Sequence, residues 1–335
     1  MPSAAIPLQI VIGLSAFGAI GGAIGYWTYT KLDRRKKARI KKKYFTKNGG
    51  HLLKQLQISS SESRVMIIKV YTAEEMEKAT KNFSRSRVLG KGGQGTVYKG
   101  VLHDGTVVAI KKSNAVVVDQ VVNIVKLLGC CLEYEVPLLV YEYLANDTLA
   151  QHLHDGTGLL NFSWEDRIRI AREVAGALAC LHNYASPATF HRDIKPSNIL
   201  LDQNYKAVVS DFGHSKSVPL SKIHITTQVD GTFGYLDPEY FHTGKLTSKS
   251  NSISSSDAGE GLVPRFKYLV KHNLLVEILD KQVVQEAMMD DVVLGAKLAK
   301  RCMKMKSNRR PSMEEVVADL DIVSVVQHEL TTNKF

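Results

Sequence analysis

Cysteine is scarce in this sequence: four in 335 residues, two of which, Cys130 and Cys131, are adjacent. That excludes a disulfide-stapled scaffold and fits a reducing compartment. Charge is missing from Met1 to Thr30, a stretch without a single Asp, Glu, Lys or Arg. Internal repeats of the solenoid kind are absent as well. At 44% hydrophobic and 23% charged, the chain is neither a disordered tail nor a multi-span membrane protein. The length suffices for two domains, or for one large bilobal domain with a buried core.

Positive charge is what the chain has in excess, 44 Lys+Arg against 33 Asp+Glu. It is concentrated: residues 31–47 hold ten Lys/Arg and one Asp, a net of +9 out of +11, and the rest of the chain is close to neutral. A basic body would invite nucleic acid; a local basic block does not, and no nucleic-acid partner is expected. The uncharged stretch before it, Leu8–Thr30, has 23 residues, against about 20 for a helix crossing a bilayer. Tyr26, Trp27 and Tyr29 lie at its end, where amphipathic rings favour the headgroup level, and the basic block marks that side as cytoplasmic. A cleaved signal peptide fits less well, for want of a basic n-region and because a stop-transfer-like block follows. The expectation is therefore a single-pass helix over 8–30 in the plasma membrane, with the remainder cytoplasmic. The block can also hold anionic lipid of the cytoplasmic leaflet. Gly18 and Gly22, and Gly21 and Gly25, are spaced as in helix-mediated homodimers, although glycine is common in membrane helices anyway.

Residues 1–7 then form a short tail, and 31–64 a juxtamembrane segment ending in a Ser-rich linker. Over 65–87 a capped helix is expected: Thr72 caps it, Glu75 completes a capping box, and Tyr71 staples to Met76. Residues 88–145 read as a small β-rich lobe, with Asp104-Gly105 as a hairpin signal and further strands at 125–131 and 138–142. Residues 146–327 read as a larger helical lobe, with helices at 164–183, 284–305 and 312–329, the last opened by Ser312 and Glu315; 328–335 form a tail. The fold class is α+β, bilobal.

Gly90-x-Gly92-x-x-Gly95 alone is a weak signal, but it lies between strands rather than opening a helix, so it can fold over phosphates. Lys111 follows at the end of the next apolar strand, Val108-Ala109-Ile110. His191-Arg192-Asp193-Ile194-Lys195-Pro196-Ser197-Asn198 comes later, and Asp211-Phe212-Gly213 stands beyond it after the strand-like Ala207-Val208-Val209. Gly231-Thr232-Phe233-Gly234-Tyr235-Leu236-Asp237-Pro238-Glu239 and Arg310-Pro311 complete the series. In order and spacing these motifs resemble a eukaryotic protein kinase. The span, the basic block, YTAEEMEKATKNFS, SWEDRIRIAREVAGALACLH and GTFGYLDPEYFHTGKLT resemble the cytoplasmic half of a plant wall-associated receptor-like kinase.

The resemblance implies a membrane-anchored Ser/Thr protein kinase that uses ATP and Mg²⁺ on protein substrates. Asp193 would be the base, with Lys195 the Ser/Thr-type lysine of its loop and Lys111 on the α/β-phosphates. Asn198 and Asp211 would hold the metal. Gly90, Gly92, Gly95, Val97, Ala109, Lys111, Glu142 and Leu144 would bind the nucleotide, Glu142 to Leu144 being the hinge. Arg192 would face a phosphate on Thr226, Thr227 or Thr232, and Arg310 would pair with Glu239.

Three departures from the resemblance matter, and the first two oppose full activity. Only 11 residues separate Lys111 from Asn123, where the resemblance calls for an αC helix and its glutamate; Asp119 is the sole acid there. A serine-rich run, 248–259, replaces the apolar αF helix, with Asn251 where an aspartate is expected. Almost nothing precedes the span, where the resemblance implies a ligand-binding portion. The two internal gaps resume in register, as skipped exons or a truncated gene model would. The alternatives are a pseudokinase or interaction module that keeps a nucleotide cleft, or a large lobe that does not fold stably. Sequons at Asn82, Asn146 and Asn161 would carry glycan only if the body were not cytoplasmic.

Overall fold

The computed structural model describes residues 8–51, 69–92, 95–113, 124–154, 162–183, 187–219, 224–250 and 262–332. The chain separates into two compact units, one of residues 1–114 with 128–140 and one of 115–127 with 141–335. Both sheet and helix are present, a mixed α+β protein.

The first unit begins with α1 (Leu8–Lys47), which runs unbroken from the uncharged stretch through the basic block. Tyr26, Trp27 and Tyr29 are exposed on it. Among the described residues no helix is long and apolar enough to cross a membrane. The side chains of residues 8–20, the heart of the expected span, lie outside the description, and the rest of α1 is dominated by its basic block. Just past α1, the Asn48 amide donates to the carbonyls of Leu132 (3.1 Å) and Tyr134 (2.9 Å), tying the helix end to the sheet.

Strands β1 (Lys69–Tyr71), β2 (Val88–Gly92), β3 (Gly95–Val101), β4 (Val107–Ser113), β5 (Leu127–Cys131) and β6 (Leu138–Glu142) form one sheet in the order β1-β5-β6-β4-β3-β2. Strand β1 is unannounced in the sequence; it pairs parallel to β5, Lys69 opposite Gly129. The capped helix follows as α2 (Ala73–Ala79), shorter than the span 65–87 suggested. Its capping box is present: Glu75 N–H donates to Thr72 Oγ1 (3.2 Å) and Thr72 N–H to Glu75 Oε2 (2.7 Å). Tyr71 and Met76 share a core with Val108, Ile110, Leu138 and Val140. The Asp104-Gly105 hairpin joins β3 to β4, with Gly105 at φ +82° and Thr106 N–H donating to Asp104 Oδ1 at 3.0 Å.

The second unit contains α3 (Leu149–His154), α4 (Trp164–Asn183) and the short strands β7 (Ala188–Phe190), β8 (Ile199–Leu201), β9 (Ala207–Val209), β10 (Lys216–Val218), β11 (His224–Thr226) and β12 (Lys245–Thr247). These pair antiparallel as β7–β10, β8–β9 and β11–β12. Helices α5 (Pro238–Thr243), α6 (Leu262–Lys271), α7 (Lys281–Glu286), α8 (Met289–Cys302) and α9 (Met313–Thr332) complete the described α-helices.

Helix α4 has the limits its periodicity predicts. One face, with Ile170, Val174, Leu178 and Leu181, packs on Leu201, Ala207 and Val209 of the β8–β9 hairpin; another, with Ile168 and Ala175, packs on Val316, Leu320 and Val323. The helix expected over 284–305 is instead two, because Ala287 and Met288 adopt extended backbone. The break brings Val283 and Val292 into one apolar cluster with Leu275 and Ala296. Ser312 opens α9 as expected, its Oγ accepting from Glu315 N–H at 3.2 Å. Asp119 and Asn251, on which the expected departures turn, lie outside the described residues.

Candidate active site

The β8–β9 hairpin assembles the chemistry-bearing part of the second unit. Its ladder sets Ile199 opposite Val209, and Ser210 N–H and Oγ donate to the Asn198 carbonyl at 2.8 and 3.0 Å. The end of the His191–Asn198 loop is thereby held beside the start of Asp211-Phe212-Gly213. His191 is fully buried; its Nε2 donates to Ser210 O (2.9 Å) and its Nδ1 accepts from Asp193 N–H (3.3 Å). Burial pushes its pKa down to about 4, so the ring is a neutral strut.

Asp193 is 3% exposed. Its Oδ2 accepts from Lys195 Nζ (2.9 Å) and Asn198 Nδ2 (3.0 Å), and its Oδ1 from Thr232 N–H (3.0 Å). Burial raises the pKa of this carboxyl, but the Thr232 bond and the Lys195 ammonium outweigh it and leave Asp193 below the ordinary carboxylate value, hence ionised. Lys195 Nζ also donates to Thr232 Oγ1 at 2.5 Å. Asn198 commits its amide nitrogen to Asp193 O (2.8 Å) and Oδ2, which leaves its amide oxygen as the group to offer a cation. Asp211, at φ +62°, accepts from Gly213 N–H at 3.2 Å. An amide oxygen and a carboxylate are hard donors that suit Mg²⁺. Among the described residues no group of three or more His, Cys, Asp or Glu is arranged to hold a metal ion by itself.

Arg192, at φ +70°, has partners that the sequence did not announce. Its Nε donates to His214 O, its Nη1 to Tyr240 Oη (3.1 Å) and Gln228 O (3.4 Å), and its Nη2 pairs with Asp230 Oδ2 at 3.1 Å. His214 Nδ1 lies 2.7 Å from Asp230 Oδ1. The one signal for His214 is a titratable residue directly after Asp211-Phe212-Gly213; nothing in the sequence marks Asp230 as its partner.

Arg310 departs from expectation. Its guanidinium pairs with Asp237, both groups buried, and not with Glu239. Glu239 instead accepts from Ser307 N–H, and that bond holds its carboxyl below the usual value. The cause is the start of α5: Asp237 is its N-cap and turns inward, while Glu239 in the first turn points to the Ser307 backbone.

In the first unit, the ladder sets Gly90 opposite Val97 and Val97 opposite Lys111, one rung across β2, β3 and β4. Cross-strand partners share a face and strand residues alternate, so Val97, Ala109 and Lys111 lie on the face opposite the core residues Val108 and Ile110. Lys111 is buried, Val97 and Ala109 are half-buried, and β2 with Gly90 and Gly92 is exposed along its length. Gly95 opens β3 opposite Gly92. The two residues at the loop tip, 93 and 94, lie outside the description. In the second unit, Glu142 turns its carboxylate to Lys126 N–H (2.8 Å), and its own N–H donates to Lys126 O (3.0 Å); Leu144 is half-buried beyond it.

The protein kinase domain profile matches residues 83–256, just over half of the chain. The chain belongs to the protein kinase family. It is 44% identical to Wall-associated receptor kinase-like 1 of Arabidopsis thaliana over 93% of its own length and 47% of that relative. It is 43% identical to Wall-associated receptor kinase-like 4 (93% and 45%) and 42% identical to Wall-associated receptor kinase 5 (88% and 45%) of the same plant. This kinase spans about half the length of the curated relatives it matches.

Proposed function

We propose that this kinase transfers the γ-phosphate of Mg-ATP to Ser or Thr hydroxyls of protein substrates, as the cytoplasmic portion of a receptor-like kinase at the plasma membrane. The observation that carries the reading is the ionised, buried Asp193, oriented by Lys195, Asn198 and Thr232, with Asp211 at the neighbouring strand end. Phosphoryl transfer asks a protein chiefly for positioning and charge neutralisation. Asp193 orients the substrate hydroxyl and takes its proton. Lys195, paired with both Asp193 and Thr232, is placed to shield charge beside that proton transfer and is the basis for Ser/Thr specificity. Bound Mg²⁺ would neutralise phosphate charge, with Asn198 and Asp211 holding it. Lys111 meets the α/β-phosphates; Gly90, Gly92 and Gly95 cover the nucleotide, with Val97 and Ala109 on the Lys111 face. Glu142 and Leu144 serve the adenine side. In this reading residues 8–30 anchor the chain and 31–47 grip anionic lipid, supported by the uncharged helical stretch, its exposed terminal aromatics and the basic block.

A second reading, a pseudokinase that binds nucleotide without transfer, is favoured by one observation. The match to Wall-associated receptor kinase-like 1 runs over 345 residues yet draws on 93% of this 335-residue chain, about 312 residues. That difference, the ten residues between Ser113 and Ile124 and a family match that stops at 256 support the internal gaps on which this second reading rests.

The full chain in detergent micelles, assayed with Mg-ATP beside Asp211→Ala, separates the two. Transfer at least about 100-fold above that variant is expected of a kinase. Equal incorporation sinks that reading; a melt raised by Mg-ATP in the same sample would then support the second.

A further inference from the structure

The Arg192 side chain is 8% exposed. A guanidinium so nearly buried needs hydrogen-bond acceptors on all sides and a compensating negative charge. The acceptors named above are the carbonyls of His214 and Gln228 and the Tyr240 hydroxyl, all neutral; the charge comes from Asp230. That carboxylate is fully engaged. Its Oδ2 meets Arg192, and its Oδ1 meets His214 Nδ1 (2.7 Å) and Gly231 N–H (3.1 Å). The Asp230 N–H donates to Tyr240 Oη (3.2 Å), whose hydroxyl donates to Gln228 O (2.8 Å).

The next residues touch the base. A Cβ on Gly231, at φ +132°, would stand 2.6 Å from Arg192 O, so the two segments run in direct contact there. Thr232 then gives its N–H to Asp193 and accepts from Lys195. His214 closes the circuit from the other side, its Nε2 4.0 Å from Asp193 Oδ2.

We propose that Asp230 is a positioning residue that supplies, in the unmodified chain, the negative charge against which Arg192 docks residues 228–232, so that no phosphate on this segment is needed to place Thr232 against Asp193. A phosphate orders such a segment by giving an arginine an anionic partner; here a carboxylate already occupies that partnership. The inference deepens the kinase reading and rests on it for the role of Asp193.

The test is hydrogen exchange on the full chain in detergent micelles, stripped of phosphate with a phosphatase and checked by mass. The Asp230, Gly231 and Thr232 amides are read against α4 amides as a fold control. Protection in the dephosphorylated wild type, about tenfold faster exchange in Asp230→Asn, and recovery in Asp230→Glu are expected. Should Asp230→Asn expose α4 as well, Asp230→Glu alone decides: restored protection supports the proposal and its absence overturns it. Unprotected amides in the dephosphorylated wild type, or unchanged exchange in a folded Asp230→Asn, also overturn it. In the transfer assay, kcat should fall about tenfold in Asp230→Asn with KM for ATP held, and phosphatase should leave wild-type kcat unchanged. Transfer no higher than in Asp211→Ala would fail the active-kinase reading alone, since the exchange result stands apart from it.

Discussion

Asp193 in the helical unit accepts hydrogen bonds from three residues within 3.0 Å, each belonging to the loop it sits in or to the segment packed on that loop. Gly90 and Gly92 in the sheet unit lie on a strand exposed from end to end, and only the far strand of that rung, with Lys111, is buried. The helical unit fixes its functional groups by charge and hydrogen bonds. The sheet unit places its own by strand register over an apolar core, with a glycine-rich strand left open. Under the proposed function the contrast has a reason: a base must be aligned within tenths of an ångström to act, whereas a strand that covers phosphates can close after the ligand arrives. The contrast makes separate demands on the two units, and substitutions can test each.

The largest effect should come from the buried pair in the helical unit. Arg310→Met leaves Asp237 charged and buried, with Oδ2 already lacking a hydrogen-bond partner. Urea unfolding should show a loss of about 3–5 kcal/mol in that unit. Adding Asp237→Asn should recover part of it. A loss confined to the sheet unit would break the contrast.

Next comes the sheet core. Ile110 is fully buried against Val108, Leu138 and Val140, and Ile110→Ala should cost about 3 kcal/mol. Exchange should quicken across β3 and β4 while α4 amides keep their protection. Equal acceleration in both units would mean that the apolar and polar scaffolds are not separable.

How much of this was legible follows the range of each interaction. Helix α4 could be read to its ends because its apolar residues recur over five turns, and the Thr72–Glu75 and Ser312–Glu315 boxes because each is a three-residue spacing. Asp193, Lys195, Asn198, Asp211 and Lys111 stand out in the sequence as members of spaced motifs. Strand β1 is too short to leave a periodicity to read, and its parallel partner β5 comes only after β2, β3 and β4 have intervened. The break at Ala287–Met288 carries no glycine or proline; packing of Val283 and Val292 decides it. Arg310 had two acids within three residues to choose from, and only the turn into α5 selects Asp237. The Arg192–Asp230–His214 cluster joins positions 16 and 38 apart, a pairing no local pattern encodes.

Acid provides a finer test. His182 and His191 in the helical unit are buried and pushed down to about 4, burial being the main cause in both. A depressed folded-state pKa means stability that is complete above the unfolded value of about 6.5 and is lost as pH falls toward 4. The sheet unit's described histidines, His51 and His103, are exposed. Between pH 6.5 and 4 the helical unit should therefore lose stability while the sheet unit changes less, read as amide exchange in β8–β9 against β3–β4. His182→Gln should flatten the helical unit's profile; parallel profiles in the two units would contradict this assignment.

The smallest effect isolates a hydrogen bond in the unit that relies least on them. Thr72→Ala deletes the side-chain acceptor for Glu75 N–H, while Thr72 N–H still has Glu75 Oε2 within reach through the backbone. Half of the box should thus survive in the alanine variant. The expected loss is about 1 kcal/mol, with Thr72→Ser restoring it. Because α2 follows β1 directly and shares its core, the loss should appear first in the β1–β5 amides and leave β8–β9 untouched. Were the β8–β9 amides to respond as strongly, the capping bond would be supporting both units, and the division between an apolar and a polar scaffold would fail at its most local point.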